Sequence, residues 1–175
     1  MIWQRRALAV IRSALSVYSK VVKGMVYGLA VAAGAGVLAM VGVTVTDVVL
    51  RAFGHPLVGA FDIVRMAGAI TLACSLPYTT AVKGHVAIEY FFLKLPRAGR
   101  VIVDTLARLL VMALLALLAW QCVAYGNSLR HSGQVSSTLQ VPVFWVPYVM
   151  ALSCVVVVLV VFHNLLHPGK EMIKP

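Results

Sequence analysis

Long apolar stretches separated by short polar segments make up most of the chain. A membrane-spanning helix needs about 20 consecutive apolar residues, and the pattern predicts four such helices. They are expected at about 21–45, 61–82, 101–125 and 141–166. Pro77 and Pro147 fall inside the second and fourth spans, where a missing amide hydrogen predicts a kink, and Pro142 suits a first helical turn. The sequence therefore predicts an all-α integral membrane protein with one four-helix domain over 21–166.

Two shorter segments mix apolar residues with cations. Residues 1–20 combine arginines with apolar side chains, a pattern typical of an amphipathic helix on a membrane surface. The apolar run 86–95 is too short to cross a bilayer and is bounded by charge, so it predicts a short interfacial helix. The polar stretch 126–140 predicts an exposed loop, and 167–175 forms a short polar tail.

Composition and charge placement support a membrane protein. Of 175 residues, 62% are hydrophobic and 11% charged, which excludes an ordinary water-soluble domain. The net charge is +10, but the cations lie beside the ends of the apolar segments, a placement that argues against nucleic-acid binding. Eleven of the 15 Lys and Arg fall in residues 1–23, the 83–100 loop and the tail, whereas only Arg51 and Arg130 fall in the other two loops. The positive-inside rule then predicts cytoplasmic N and C termini.

Ionisable residues inside the predicted spans are few and lie near helix ends. Asp47 and Arg51, four apart, are expected to pair at the exit from the first span. Asp62 with Arg65 and Asp104 with Arg108 have the spacing of structural ion pairs. A coupling ion needs oxygens near the membrane midplane, and none of the five acids is expected there. The chain is therefore not expected to hold a transport site alone.

Other chemistry has little support in the sequence. The three cysteines fall in apolar stretches without metal-ligand spacing and are interpreted as core residues: Cys74, Cys122 and Cys154. His163 is the one histidine expected within a span, which does not suffice for paired haem ligation, and no serine-nucleophile motif is present. We expect no cofactor in this chain and no enzymatic activity.

Small residues recur in the first span at steps of four. They are Gly24, Gly28, Ala32 and Gly36. Small side chains let two helix backbones approach closely, a main source of helix association in lipid. The stripe predicts packing against another helix, either within this chain or in a partner.

Several loop segments together resemble one transporter family. The run Lys83–Glu89, with Leu95-Pro96 and Arg100 after it, resembles the cytoplasmic loop of the small membrane subunit (Q-type, DctQ-like) of tripartite ATP-independent periplasmic (TRAP) transporters. Further matches in order are Leu50-Arg51-Ala52-Phe53, Asp62-x-x-Arg65, and Leu139-Gln140-Val141-Pro142 followed by Pro147. The resemblance covers about 25–166. One departure is Phe61-Asp62, where family members often have a Trp and two acids.

The resemblance implies a partner system in the bacterial inner membrane. A large elevator-type membrane subunit would hold the sodium and substrate sites, and a periplasmic binding protein would deliver an organic acid such as sialic acid or a dicarboxylate. This chain would then be an accessory scaffold subunit. Two other functions stay open: a self-sufficient exporter that forms homo-oligomers and couples through Asp62 or Asp104, and a membrane anchor of a redox enzyme that uses His163 and the cysteines.

Two groups of site residues follow from this interpretation. An outward surface that docks the binding protein is expected to include Arg51, Asp62, Arg65 and Arg130. Anchoring of the 83–100 loop to anionic phospholipids is expected from Lys83, His85, Lys94, Arg97 and Arg100.

Overall fold

The computed structural model describes residues 2–82 and 97–166, and within them the side chains of residues 17–82, 99, 102, 103 and 105–165. The predicted interfacial helix 86–95 and the tail 167–175 lie outside the described residues, as do the side chains of the first 16 residues. The side chains expected to anchor the loop to lipid are also outside them: Lys83, His85, Lys94, Arg97 and Arg100.

Four helices make up most of the described chain: α1 (Ile2–Ala52), α2 (Ala60–Ala81), α3 (Arg97–Ser132) and α4 (Trp145–Leu166). Each contains a segment long and apolar enough to cross a membrane. The predicted all-α architecture with four membrane-spanning helices is confirmed. We call the end that carries the α1–α2 and α3–α4 connections the loop end, and the opposite end the terminal end.

α1 continues past Val45, where the first span was expected to end. Asp47 and Arg51 do form the expected ion pair, with Arg51 Nη2 2.8 Å from Asp47 Oδ2, but the pair lies within the helix. A pair four residues apart stabilises a helical turn rather than ending it. α1 ends instead where the amides of Gly54 and His55 donate to the carbonyls of Arg51 and Leu50, with Gly54 at φ +79°.

α3 also extends beyond its expected end at Tyr125, because Gly126 is a contact point and not a turn. A Cβ at Gly126 would lie 3.1 Å from Cε1 of Tyr148 in α4. The Tyr148 hydroxyl donates to Asn127 Oδ1 at 2.6 Å. The helix continues to Ser132, so the expected loop begins only at Gly133, which has φ +61°.

The two prolines expected in the fourth span have other roles. Pro142 is not in a first helical turn, since α4 begins at Trp145 and Pro142 forms an isolated antiparallel bridge with Val135. Pro147 is the third residue of α4, where an amide hydrogen would have no acceptor within the helix. The position of Pro147 therefore requires no kink.

The helices form a layer in the order α1, α2, α4, α3. α2 and α4 pack against each other in the middle, α1 packs on α2, and α3 packs on α4. α1 also reaches α4 towards the terminal end, where a buried cluster joins three helices: Val22, Val26, Ala81, Val156 and Val160. The outer helices are consequently exposed over most of their circumference.

The stripe of small residues on α1 does not face one neighbour. A Cβ at Gly36 would collide with the Thr71 hydroxyl of α2, whereas one at Gly24 or Gly28 would meet nothing within 4 Å, and Ala32 is exposed. Steps of four residues rotate by about 40° each around a helix, or roughly 120° over three steps. Gly36 therefore packs within the chain, and packing of the other three against a partner stays a prediction.

Candidate functional site: the loop end of the helix layer

Asp47 closes the connection between α1 and α2. Its Oδ2 atom accepts from Arg51, and its Oδ1 atom accepts the backbone N–H of Leu57 at 3.0 Å. The carboxylate thus binds a backbone amide ten residues further along the chain, in a connection that would otherwise leave that donor without a partner.

Gly59 forms the entry to α2 and contacts the other loop. It has φ +84° and ψ +6°, the left-handed conformation that glycine adopts without steric cost. The side chain of Leu139 lies directly against its Cα, leaving no space for a Cβ atom. The two loops therefore meet at a glycine that is required both for its backbone conformation and for its small size.

Asp62 fastens the α3–α4 loop. Its Oδ2 atom accepts the backbone N–H groups of Thr138 at 2.8 Å and Leu139 at 3.1 Å, and the residue is only 4% exposed. The loop itself is folded back by a hydrogen bond from the Ser136 amide to the Val141 carbonyl at 2.9 Å. Asp62 in the first turn of α2 thereby holds the tip of a loop 76 residues away.

The residues predicted to dock the binding protein have different environments. Arg51, Arg65 and Arg130 are exposed at the loop end, so all three can reach a partner. The structure corrects the assignment of Asp62, whose buried carboxylate is engaged by the loop backbone and is not part of the exposed surface. Docking through the three arginines stays a prediction.

A cavity of about 280 Å³ adjoins Asp62. It lies between α2 and α3, with the first turns of α4 and residues 134–137 of the loop completing its lining. Arg65 is on the same wall as Asp62, one helical turn further into α2. This cavity brings a carboxylate and a guanidinium together beside apolar side chains.

Polar contacts at the terminal end bind carbonyls of α4. Arg108 Nη1 donates to the carbonyl of Asn164 at 2.7 Å, and the Tyr18 hydroxyl donates to that of Leu159 at 2.8 Å. The Asp104 side chain lies outside the described residues, so its predicted pairing with Arg108 stays a prediction. The contact from Arg108 to the last turn of α4 is one that the sequence reasoning missed.

The histidine and two of the three cysteines considered for redox chemistry occupy packed positions, whereas Cys122 is only half-buried and is not the core residue that the sequence predicted. The His163 ring stacks on Tyr18 with 6.0 Å between the ring centroids. Cys74 and Cys154 are buried, and the Ser153 hydroxyl lies 3.8 Å from Cys74 Sγ. Among the described residues, no three His, Cys, Asp or Glu side chains come together in a way that could hold a metal ion.

Three important residues were not singled out by sequence reasoning. Tyr18 and Gly59 were not distinguished from their neighbours in the sequence, and Leu139 was only part of a loop motif. The one local signal was an acid in the first turn of a helix, at Asp62, which favours helix initiation through the helix dipole. It does not reveal the loop amides that bind the acid.

Comparison with known proteins assigns the family. A family model described as "Tripartite ATP-independent periplasmic transporters, DctQ component" matches residues 40–169. No curated protein and no solved structure matches the chain. The matched segment includes α2, α3, α4, both connections of the loop end and the last turns of α1. The chain therefore belongs to the DctQ family, the small membrane subunits of TRAP transporters, and is a multi-pass protein of the inner membrane.

Proposed function

We propose that this chain is the scaffold subunit of a sodium-coupled TRAP transporter and pairs with a large elevator-type subunit to take up an organic acid. The observation that carries the proposal is the family match over residues 40–169, since a DctQ component implies a larger membrane subunit and a binding protein in the same system. Sodium and substrate would bind in the large subunit, and this chain would supply part of the static frame.

The two acids that the structure describes fit a structural role. Asp47 and Asp62 both bind backbone amides of the loop-end connections. A coupling acid of a self-sufficient carrier would be expected near the midplane, at a discontinuous helix. Asp62 lies in the first turn of α2, at the end of its helix. These positions favour the scaffold over the homo-oligomeric exporter.

The exposed side of α1 offers a surface for the large subunit. Gly24, Gly28 and Ala32 lie on it with open space around both glycines. In lipid, such residues allow a second helix to approach closely and gain van der Waals contact. We expect a helix of the large subunit to pack along these three positions.

The exposed arginines of the loop end suit the docking of a binding protein. The predominance of Lys and Arg in the other connecting segments predicts that the loop end faces the periplasm. Arg51, Arg65 and Arg130 would then face the soluble partner. Contacts between exposed charges mainly speed association and fix orientation, which suits a partner that must bind and leave in every transport cycle.

Co-purification and reconstitution test the pairing. The chain is expressed with its candidate large subunit, purified by a tag on this chain, and reconstituted into liposomes. Uptake of labelled sialic acid and of labelled dicarboxylates is measured with a sodium gradient and the binding protein. We expect uptake to require both membrane subunits, the binding protein and sodium. Transport by this chain alone would contradict the scaffold role and would make Asp62 and Asp104 the first residues to test.

Two glycine variants test the α1 surface. Gly28→Leu should separate the helices and reduce the yield of co-purified large subunit several-fold. Gly34→Leu is the matched control, because Gly34 is equally open but lies roughly 120° away around α1. Equal co-purification of the large subunit with both variants would rule out the assigned surface.

Charge reversal tests docking separately. Changing Arg51, Arg65 and Arg130 to Glu together should reduce uptake strongly while the two membrane subunits still co-purify. Unchanged uptake at low concentrations of binding protein would remove these arginines from the docking surface.

A further inference from the structure

The cavity at the loop end has a polar part and an apolar part. α2 lines it with Asp62, Arg65, Met66 and Ala69, which share one helix face. Residue numbers rise from the loop end along α2, so Ala69 lies roughly 10 Å deeper than Asp62. The loop residues 134–137, three of which are polar, lie at the outer rim.

The other walls are largely apolar. α4 contributes Val146, Pro147 and Met150, and α3 contributes Tyr125 and Leu129. α2 and α3 flank α4 without an extensive contact with each other. Because α4 forms the floor and the loop forms the outer edge, the remaining side opens laterally between α2 and α3. A ligand can enter there from the bilayer.

The charges at the rim are one carboxylate and one guanidinium. Both amides that bind Asp62 donate to Oδ2, and the Ser136 side chain also lies beside the carboxylate. Each carboxylate oxygen can accept more than one hydrogen bond, so Oδ1 can still accept from a ligand. Arg65 is exposed and three residues away on the same helix face. A purely anionic headgroup would meet the carboxylate, and a purely cationic one would meet the guanidinium. A headgroup that carries both charges matches both residues.

We propose that this cavity binds a zwitterionic aminophospholipid, with its phosphate on Arg65, its ammonium on Asp62 Oδ1, and an acyl chain along Met66, Ala69 and Met150. Arginine is well suited to bind phosphate, since its planar guanidinium can donate two parallel hydrogen bonds. A volume of about 280 Å³ holds the headgroup region and the start of one chain. The bound lipid fills the space between α2 and α3 beneath the loop that Asp62 holds.

Native mass spectrometry tests the site on the full-length chain, purified in mild detergent together with the membrane partner that co-purifies with it. The delipidated protein is mixed with equal amounts of phosphatidylethanolamine and phosphatidylglycerol that carry the same acyl chains. We expect one phosphatidylethanolamine to be retained per chain, preferred about tenfold, the size expected for one charge-assisted hydrogen bond.

Three variants separate the interactions. Arg65→Gln should lower the retention of both lipids, since both carry a phosphate. Asp62→Asn should lower the retention of phosphatidylethanolamine and abolish the preference. Ala69→Leu fills the deeper part without changing charge and should lower the retention of both lipids. The controls are Arg51→Gln, an exposed arginine of the same end, and Ala124→Leu, an exposed alanine of α3 outside the cavity lining.

Three results would overturn the lipid site. They are equal retention of the two lipids by the wild type, retention unchanged in both Arg65→Gln and Ala69→Leu, and a crosslink from Met66→Cys to the large subunit in place of lipid. The last result would identify a protein segment as the occupant. Lipid retention is measured without transport, so a negative result leaves the scaffold role intact.

Discussion

The two ends of the helix layer satisfy their backbone polar groups with opposite chemistry. At the loop end, Asp47 and Asp62 accept hydrogen bonds from backbone amides of the connections. At the terminal end, Tyr18 and Arg108 donate hydrogen bonds to backbone carbonyls of α4. Acceptor side chains thus bind loops at one end, and donor side chains bind a helix at the other.

The Leu159 carbonyl lies in the interior of α4, but the contacts of Arg108 and of the two acids follow from which backbone groups each end exposes. A helix leaves its last four carbonyls without partners in the helix, and the last turn of α4 lies at the terminal end, so a cation such as Arg108 is favourable there. A connection between helices exposes amides as well, and a carboxylate can accept two of them on one oxygen, as Asp62 does. An acid at a membrane boundary can therefore have a structural role without a bound substrate or ion.

The largest effect is expected from removing the acceptor at the loop end. Asp62→Ala leaves the amides of Thr138 and Leu139 without their partner, and we expect a loss of about 3 kcal/mol in the free energy of unfolding. Protease cleavage in the 133–144 loop should rise with it. Asp62→Asn is the matched control, because its amide oxygen can still accept, and it should lose less than half as much. Equal stability of the alanine variant and the wild type would show that the loop does not depend on this carboxylate.

A smaller loss is expected where the two loops meet. Gly59→Ala places a Cβ atom on a left-handed backbone and against the side chain of Leu139. It should lower the free energy of unfolding by about 2 kcal/mol. Gly54→Ala is the control, since Gly54 has a similar φ of +79° but open space around it. This variant should lower the free energy of unfolding by about 1 kcal/mol. Thermal unfolding in detergent compares the two variants. Equal losses would mean that contact with Leu139 adds nothing to the requirement for glycine.

The smallest effect is expected from one donor at the terminal end. Tyr18→Phe removes the hydroxyl that donates to Leu159 but keeps the ring that stacks on His163. It should lower the free energy of unfolding by about 1 kcal/mol. Tyr27→Phe is the control: it changes an exposed tyrosine of the same helix and should leave the free energy of unfolding almost unchanged. A larger loss for Tyr18→Phe than for Asp62→Ala would reverse the expected order of the two ends.

The sequence predicted the helices well because apolar length is a local property. Each of the four spans could be placed from its own run of residues, and α2 lies within one residue of its expected bounds. Helix ends were harder to predict. Glycine usually favours the end of a helix, but Gly126 lies within α3 and packs against Tyr148 of α4. The rotation of roughly 120° around α1 between Gly24 and Gly36 could have been calculated from the helical repeat alone.

The candidate site was less predictable, because its contacts join distant parts of the chain. The exposure of Arg51, Arg65 and Arg130 agrees with their positions near helix ends. The burial of Asp62 depends on amides that come 76 residues later, and no spacing within α2 indicates them. The cavity likewise needs three helices and a loop to be in place.

The helices of the layer differ in length as well as in burial. α2 and α4 have 22 residues each, or roughly 33 Å, close to the hydrocarbon thickness of about 30 Å. α1 has 51 residues and α3 has 36, or roughly 76 Å and 54 Å. The length of the inner pair therefore matches the hydrocarbon core, and this match sets the depth of the subunit in the bilayer. The two outer helices are longer than the hydrocarbon core is thick, so they can extend beyond it at whatever depth the inner pair is placed.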